Sequence, residues 1–276
     1  EITERDWSSD VCSSDLPEMS GPLAEYILLH RHGAAQASLA REPAIARRLM
    51  IAHAMTGSAL WQVRPNACAS RNGQTRASLE GSRAAAEMEE RRKRVGDLFE
   101  GLGVNGEARR NGDSHRLCEI FAALLALSDE ETGEVLAFVM AETLEPGGPA
   151  VEAVLHVCET DLSAYWKPEP AFFDLCRDKR AINAMVADIG SKSLAEACIT
   201  DTAKTQKAVI ENRISGDGCA ANPDWRPGWM RTPPSSLVTG AASPPADAWD
   251  RIAALFEARE NAAAPDADAI AEADAA

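Results

Sequence analysis

The stretch SDEETGEVLAFVMAETL, residues 128–144, decides the fold class. It begins as a capping box, in which the Ser128 hydroxyl accepts from the Glu131 amide while the Glu131 carboxylate accepts from the Ser128 amide. The apolar residues that follow recur on one helical face: Val135, Leu136, Val139, Met140 and Leu144. Helical spacing of this kind recurs in several other segments, so we predict a mainly α, irregular multi-helix bundle.

The composition agrees with this prediction. Only 5% of the 276 residues are aromatic and alanine is the commonest residue, a balance that favours closely packed helices over sheets. We expect one short extended segment at 60–65 and disordered ends. No apolar run approaches the roughly 18–20 residues that a bilayer crossing needs. The sequence therefore predicts a cytoplasmic protein with no membrane partner.

The chain divides into four segments by composition. Residues 1–16 resemble translated sequencing adapter, so we exclude them from the fold as a scar. We predict a mildly basic helical subdomain over 17–116 and a second helical subdomain, with a Trp-rich strap, over 117–231. Residues 232–276 read as a Pro/Ser linker, a short amphipathic helix and an acidic tail.

The charge distribution bears on nucleic-acid binding. The formal net charge is −15, which argues against a DNA partner, but residues 17–116 carry fifteen Lys and Arg against eleven Asp and Glu. The DNA-contact candidates in this basic part are Arg41, Arg47, Arg48, Arg91, Arg92, Lys93 and Arg94. The alternative is a solvated helix face that is neutralised by its own glutamates, through the i, i+4 pairs Glu87/Arg91, Glu89/Lys93 and Glu90/Arg94.

A second set of DNA-contact candidates lies in the acidic half. A short helix, a tight link and a longer helix between residues 181 and 214 resemble a helix-turn-helix, which would present Lys192, Lys204, Lys207 and Arg213 to DNA. Ordinary packing of a helical bundle produces the same pattern, so both interpretations stay open.

The cysteines, histidines and sequence motifs that usually mark catalytic or metal sites predict no active site. Six cysteines follow the first sixteen residues without a C-x-x-C spacing, which is typical of buried free thiols in a reducing compartment. The pair His30 and His32, with His53 or His115, is the only metal-ligand set that the sequence offers, and it lacks the usual tight spacing. No nucleophile, phosphate-loop or dinucleotide motif is present. We therefore expect no catalytic residue, metal or cofactor.

The Trp-rich strap, residues 225–230, is the last distinctive feature. Trp225, Trp229 and Met230 flank Pro227 in a segment that cannot form a long helix. We predict an extended strap whose aromatics fill a groove on the bundle. An apolar groove near these side chains is also our candidate for partner binding.

Several motifs, in order, cover most of residues 20–235 and resemble the C-terminal region of large ParB-type partition proteins of alphaproteobacteria. They are Leu127-Ser128-Asp129-Glu130-Glu131 with Val135–Glu142, Tyr165-Trp166-Lys167-Pro168 with Phe172-Phe173, Lys204-Thr205-Gln206-Lys207, and Trp225-x-Pro-x-Trp229-Met230.

The resemblance implies an accessory region of a DNA partition protein. Such proteins carry a CTP-binding clamp domain and a DNA-reading helix-turn-helix upstream, and neither motif occurs in this chain, so no CTP or specific DNA contact transfers to a residue here. The resemblance also implies a nucleoid or plasmid location, DNA bound through the full-length protein, and a homodimer or a partition ATPase as partner. The rival hypothesis is a helical interaction or dimerisation module without direct DNA contact.

Overall fold

The computed structural model describes residues 18–56, 68–105 and 114–257. Its helices are α1 (Gly21–Leu39), α2 (Pro43–Thr56), α3 (Gly73–Glu80), α4 (Arg83–Glu100), α5 (Ser114–Ala126), α6 (Asp129–Thr143), α7 (Pro149–Val157), α8 (Pro170–Leu175), α9 (Lys179–Ile189), α10 (Lys192–Ala197), α11 (Ala203–Ser215) and α12 (Pro244–Asp250), with 3₁₀ turns at Leu162–Ala164 and Gly228–Met230. No β-strand occurs in these ranges, which confirms the mainly α prediction.

Helix α6 begins as predicted. The Glu131 amide donates to the Ser128 hydroxyl at 3.2 Å, and the Ser128 amide donates to the Glu131 carboxylate at 2.8 Å. These hydrogen bonds hold the pKa of Glu131 below its usual range. The face predicted to point inward does so, since Val135, Met140 and Leu144 are buried. No helix of the described residues is long and apolar enough to cross a membrane.

Helix α1 is the central element of the fold. Ser20 caps it, Pro22 lies in its first turn, and every residue from Leu29 to Leu39 is buried. A helix that is enclosed all round is expected to be apolar all round, yet α1 carries His30, Arg31 and other polar side chains into the interior. Each of them must therefore find a partner inside the protein.

Two apolar clusters form the core, and α1 belongs to both. The C-terminal half of α1 packs with α4, α6 and α7, and its N-terminal half packs with α8, α9, α11 and the strap. Helices from both sides of residue 116 share the first cluster, because α2 and α4 pack on α6.

A buried ion pair fastens the strap to α1. Arg31 and Glu152 are 0% and 2% exposed; Arg31 Nε donates to Glu152 Oε1 at 2.8 Å, and Nη2 donates to Oε2. Arg31 Nη1 also donates to the carbonyls of Trp229 at 2.8 Å and Arg231 at 2.9 Å. The buried Arg31 guanidinium thus connects α1, α7 and the strap through its hydrogen bonds.

Some predicted segments differ from the structure or lie outside the described residues. The scar at 1–16, the extended segment at 60–65 and the acidic tail after 257 lie outside the described residues. Pro244-Pro245, predicted as linker, instead open α12, because proline suits the first turn of a helix. After it, the Trp249 and Phe256 rings pack on His156 of α7, at 4.8 and 5.3 Å between ring centroids.

Candidate interaction site

Helix α5 presents an apolar ridge to solvent. Leu117, Phe121 and Leu125 are 68%, 60% and 71% exposed, and their i, i+4, i+8 spacing places them on one helical face. The opposite face packs into the first core through Ala123, with Ile120 and Leu124 half-buried. The helix is thus apolar on two faces, only one of which has a partner within the described part of the chain.

Charges of opposite sign flank the ridge. Arg116 lies in the first turn of α5, whereas four acids lie in the first turns of α6: Asp129, Glu130, Glu131 and Glu134. Arg116 donates to Glu119 at 3.2 Å. Cys118, also exposed, lies beside the ridge. The α5 surface therefore has Arg116 at one end, an apolar middle and the acids of α6 at the other end.

Three of the predicted DNA-contact residues are held by carboxylates. Arg41 Nη1 lies 2.5 Å from Glu87, and Arg94 binds Glu134 with two hydrogen bonds of 2.7 and 2.8 Å. Arg92 pairs with Glu89 and, at 3.0 Å, with Glu142. These arginines contribute little free positive charge to the surface.

The carboxylate partners differ from those predicted. The pairs Glu87/Arg91, Glu89/Lys93 and Glu90/Arg94 do not form among the described residues; Glu87 instead binds Arg41 and Arg83. Two of the pairs that form lie within α4, Arg83/Glu87 at i, i+4 and Glu89/Arg92 at i, i+3. The others bring in Arg41, which follows α1, and Glu134 and Glu142 of α6. Carboxylates thus neutralise part of this helix face, in part through tertiary partners that helix periodicity could not reveal.

The remaining candidates of the basic part are Arg47, Arg48, Arg91 and Lys93. Arg47 and Arg91 line a cavity of about 450 Å³ with Arg41, but Asp129, Glu130 and Glu134 line it too. Arg48 donates to the Ala44 carbonyl of its own helix, and Lys93 is exposed.

In the helix-turn-helix-like segment, Lys192 and Lys204 are exposed. Lys207 instead donates to the Phe173 carbonyl at 2.5 Å and is half-buried. Helices α10 and α11 both pack on α9.

The strap is part of the core. Trp225 is 4% exposed, and Trp229 and Met230 are fully buried; the Trp225 indole donates to Asp188 at 2.8 Å. These aromatics belong to the second core cluster, and they have almost no accessible surface with which to line a groove for a partner.

His30, His32 and Cys176 lie in the interior. Among the described residues, no group of three His, Cys, Asp or Glu side chains is placed to hold a metal ion. The His30 ring contacts the Ser78 hydroxyl at 2.8 Å, whereas the His32 ring contacts the Leu144 carbonyl at 2.7 Å. Burial raises the pKa of Cys176 to about 12, so this thiol is unreactive at neutral pH.

Sequence reasoning missed the ridge and the buried ion pair. The signal for the ridge was present, because Leu117–Leu127 is apolar on more than one face. Nothing local marked Arg31 or Glu152, which lie 121 residues apart.

Comparisons with known proteins identify no relative, since no family model, no curated protein and no solved structure matches the chain significantly.

Proposed function

We propose that this chain is a non-catalytic accessory region of a ParB-like partition protein and that it acts as a self-association module. The observation that supports self-association is the ridge of Leu117, Phe121 and Leu125 on α5. An apolar patch on an otherwise well-packed helical protein is typical of a protein–protein contact. The motifs quoted above support the ParB-like context.

The charge pattern around the ridge favours a second copy of this chain as the occupant. In a two-fold contact the same surface is used by both copies. If two α5 helices pair antiparallel about Phe121, the basic end at Arg116 of each copy faces the acidic end at Asp129 of the other. The pairing then buries both ridges and brings Arg116, which binds Glu119 of its own helix, close to the acids of the other copy.

The size of the ridge predicts a weak dimer. Full burial of a large apolar side chain contributes about 1.5–3 kcal/mol, so six side chains that are 60–71% exposed at the start supply roughly 6–12 kcal/mol. Association costs about 4 kcal/mol or more. The net of about 2–8 kcal/mol spans a Kd from about 1 μM to tens of millimolar, with about 0.2 mM at its centre. A contact of this strength suits an accessory region whose copies are already tethered elsewhere in a longer protein.

Light scattering after size-exclusion chromatography tests this proposal. The wild-type chain should shift towards dimer mass between about 5 and 500 μM, and Phe121→Asp should stay monomeric because it places a charge at the centre of the contact. Ile199→Asp is the matched control, since Ile199 is 61% exposed outside α5 and should leave the shift unchanged. A wild-type monomer at every concentration would remove the proposal.

Direct DNA contact is the second candidate function. It is favoured by the convergence of Arg41, Arg47 and Arg91 on one cavity and opposed by the carboxylates around it. It predicts salt-sensitive binding of duplex DNA, measurable by fluorescence anisotropy, and Arg47→Glu with Arg91→Glu should abolish it. No anisotropy change at low salt would exclude this candidate.

A further inference from the structure

A cavity of about 650 Å³ lies between α1, α4 and Cys68. Its middle is apolar, with Gly33, Leu79, Ala84 and Met88 among the lining residues. A Cβ on Gly33 would lie 3.4 Å from Ala84 and 3.6 Å from Cys68 Sγ, so the walls come close together at this point. The volume is within the range of small-molecule sites, and none of the functions considered above uses it.

The cavity is open to solvent. Cys68 and Ala85 in its lining are half-buried, and Glu80, Gly81 and Ala86 are exposed. A small molecule therefore has an entrance and a wall with accessible surface in the structure as it stands.

His30, at one end of the cavity, is a hydrogen-bond acceptor held in a fixed orientation. The Ser78 hydroxyl donates to the Glu169 carboxylate, so the contact of 2.8 Å between His30 Nε2 and Ser78 Oγ needs the proton on Nε2. Burial lowers the pKa of His30 to about 4, so the ring is neutral at pH 7 and Nδ1 is an acceptor. Tyr26 also donates to Glu169, at 2.6 Å, and thereby holds the carboxylate in place.

Gln36, further along α1, supplies a second acceptor to the cavity. Gln36 Nε2 donates to the Ala141 carbonyl at 2.8 Å, which fixes the amide. Among the described residues, no donor binds Gln36 Oε1 or His30 Nδ1, and neither atom is one of the polar atoms sealed from solvent. Both acceptors therefore keep accessible surface. The six residues of α1 between them correspond to a rise of about 9 Å.

The charged residues around the cavity favour a cation. Of the described lining residues, three are acids, Glu80, Glu89 and Glu142, and one carries a permanent positive charge, Arg92. Arg92 already binds Glu89 and Glu142. Glu80 is exposed and follows Ser78 by two residues, so it lies near the His30 end. A positively charged ligand thus meets acceptors and carboxylates, with no competing cation that is unpaired in this part of the structure.

We infer that this cavity binds a linear aliphatic diamine, with one ammonium group near His30 and Glu80 and the other near Gln36. The methylene chain lies along the apolar middle, against Gly33 and Met88. A six-carbon diamine has the matching length, about 9 Å between its nitrogens. Its ammonium groups carry only donors, which suits the acceptors at both ends.

Isothermal titration calorimetry on the full chain tests this inference, with 1,6-diaminohexane as the probe, hexylamine as the single amine and 1,6-hexanediol as the neutral control. Salt at about 150 mM screens the attraction between the diamine and distant acids of the chain. We expect one saturable site per chain with a Kd of roughly 0.1–1 mM for the diamine. Hexylamine should bind about fivefold more weakly or less, and the diol should not bind. No saturable binding of the diamine, or equal binding of hexylamine or the diol, would overturn the inference.

Glu80→Gln distinguishes this site from general attraction to an acidic protein. The variant should bind 1,6-diaminohexane about threefold to fivefold more weakly, because the carboxylate beside one ammonium group is lost. Glu90→Gln is the matched control, since Glu90 is an exposed acid of α4 outside the lining, and its affinity should equal that of the wild type. Both side chains are exposed, so neither change should lower the Tm. Unchanged affinity in Glu80→Gln, or an equal loss in Glu90→Gln, would contradict the assignment.

Discussion

Replacing Glu152 with leucine should remove a large part of the protein's free energy of unfolding. Arg31 is 0% exposed, so its charge cannot reach water when the carboxylate is removed. Breaking a buried pair from one side costs about 3–5 kcal/mol. Arg31 keeps its hydrogen bonds to the Trp229 and Arg231 carbonyls, so we expect the lower end, about 3 kcal/mol. Native proteins have only about 5–15 kcal/mol in total.

Urea unfolding at pH 7, followed by circular dichroism, measures this loss as a shift of the midpoint. The double variant Arg31→Met with Glu152→Leu should recover part of it, because no uncompensated charge remains. Arg83→Ala is the control, since it breaks an exposed pair with Glu87 and should cost under about 1 kcal/mol. A change within about 0.5 kcal/mol for Glu152→Leu, or strictly additive single variants, would refute the reasoning.

Three further predictions concern particular side chains. Burial lowers the pKa of His30 and of His32 to about 4. The free energy of unfolding should therefore fall by up to about 3 kcal/mol for each histidine as the pH drops from 6.5 to 4. In urea titrations at several pH values, His32→Gln should make the free energy of unfolding depend less steeply on pH. Exposed Cys118 should react with a thiol reagent at neutral pH far faster than buried Cys176, as a stopped-flow labelling trace would show. Ser128→Ala should cost about 1 kcal/mol of stability by removing the cap of α6, and an unchanged thermal midpoint would contradict that assignment.

Local signals in the sequence were sufficient for the fold class. The Ser128/Glu131 capping box is encoded within four residues and formed as predicted. The strap at Trp225 and Trp229 was also predictable, because its prolines exclude a long helix and its aromatics must be buried.

Tertiary contacts determined what the sequence could not show. Arg31 and Glu152 look like surface charges in any local pattern, and only the enclosure of α1 makes them a buried pair. Arg94 was predicted to pair with Glu90 on its own helix, but Glu134 of α6 offers two hydrogen bonds instead.

The candidate site shows the same limit. The apolar residues of α5 indicate a helix without showing which face is covered, and the exposure of Phe121 became visible only with the packing of its other face.

Photo-crosslinking from position 121 tests the central claim, the pairing of two α5 helices, most directly. With p-benzoylphenylalanine in place of Phe121, irradiation at about 200 μM, within the predicted Kd range, should give a covalent dimer. Peptide mapping of isotope-mixed copies should place the crosslink within 114–126 of the second copy. A yield that falls on dilution would agree with a weak dimer. Absence of an intermolecular product at this concentration, or crosslinks confined to another region of the second copy, would contradict the account.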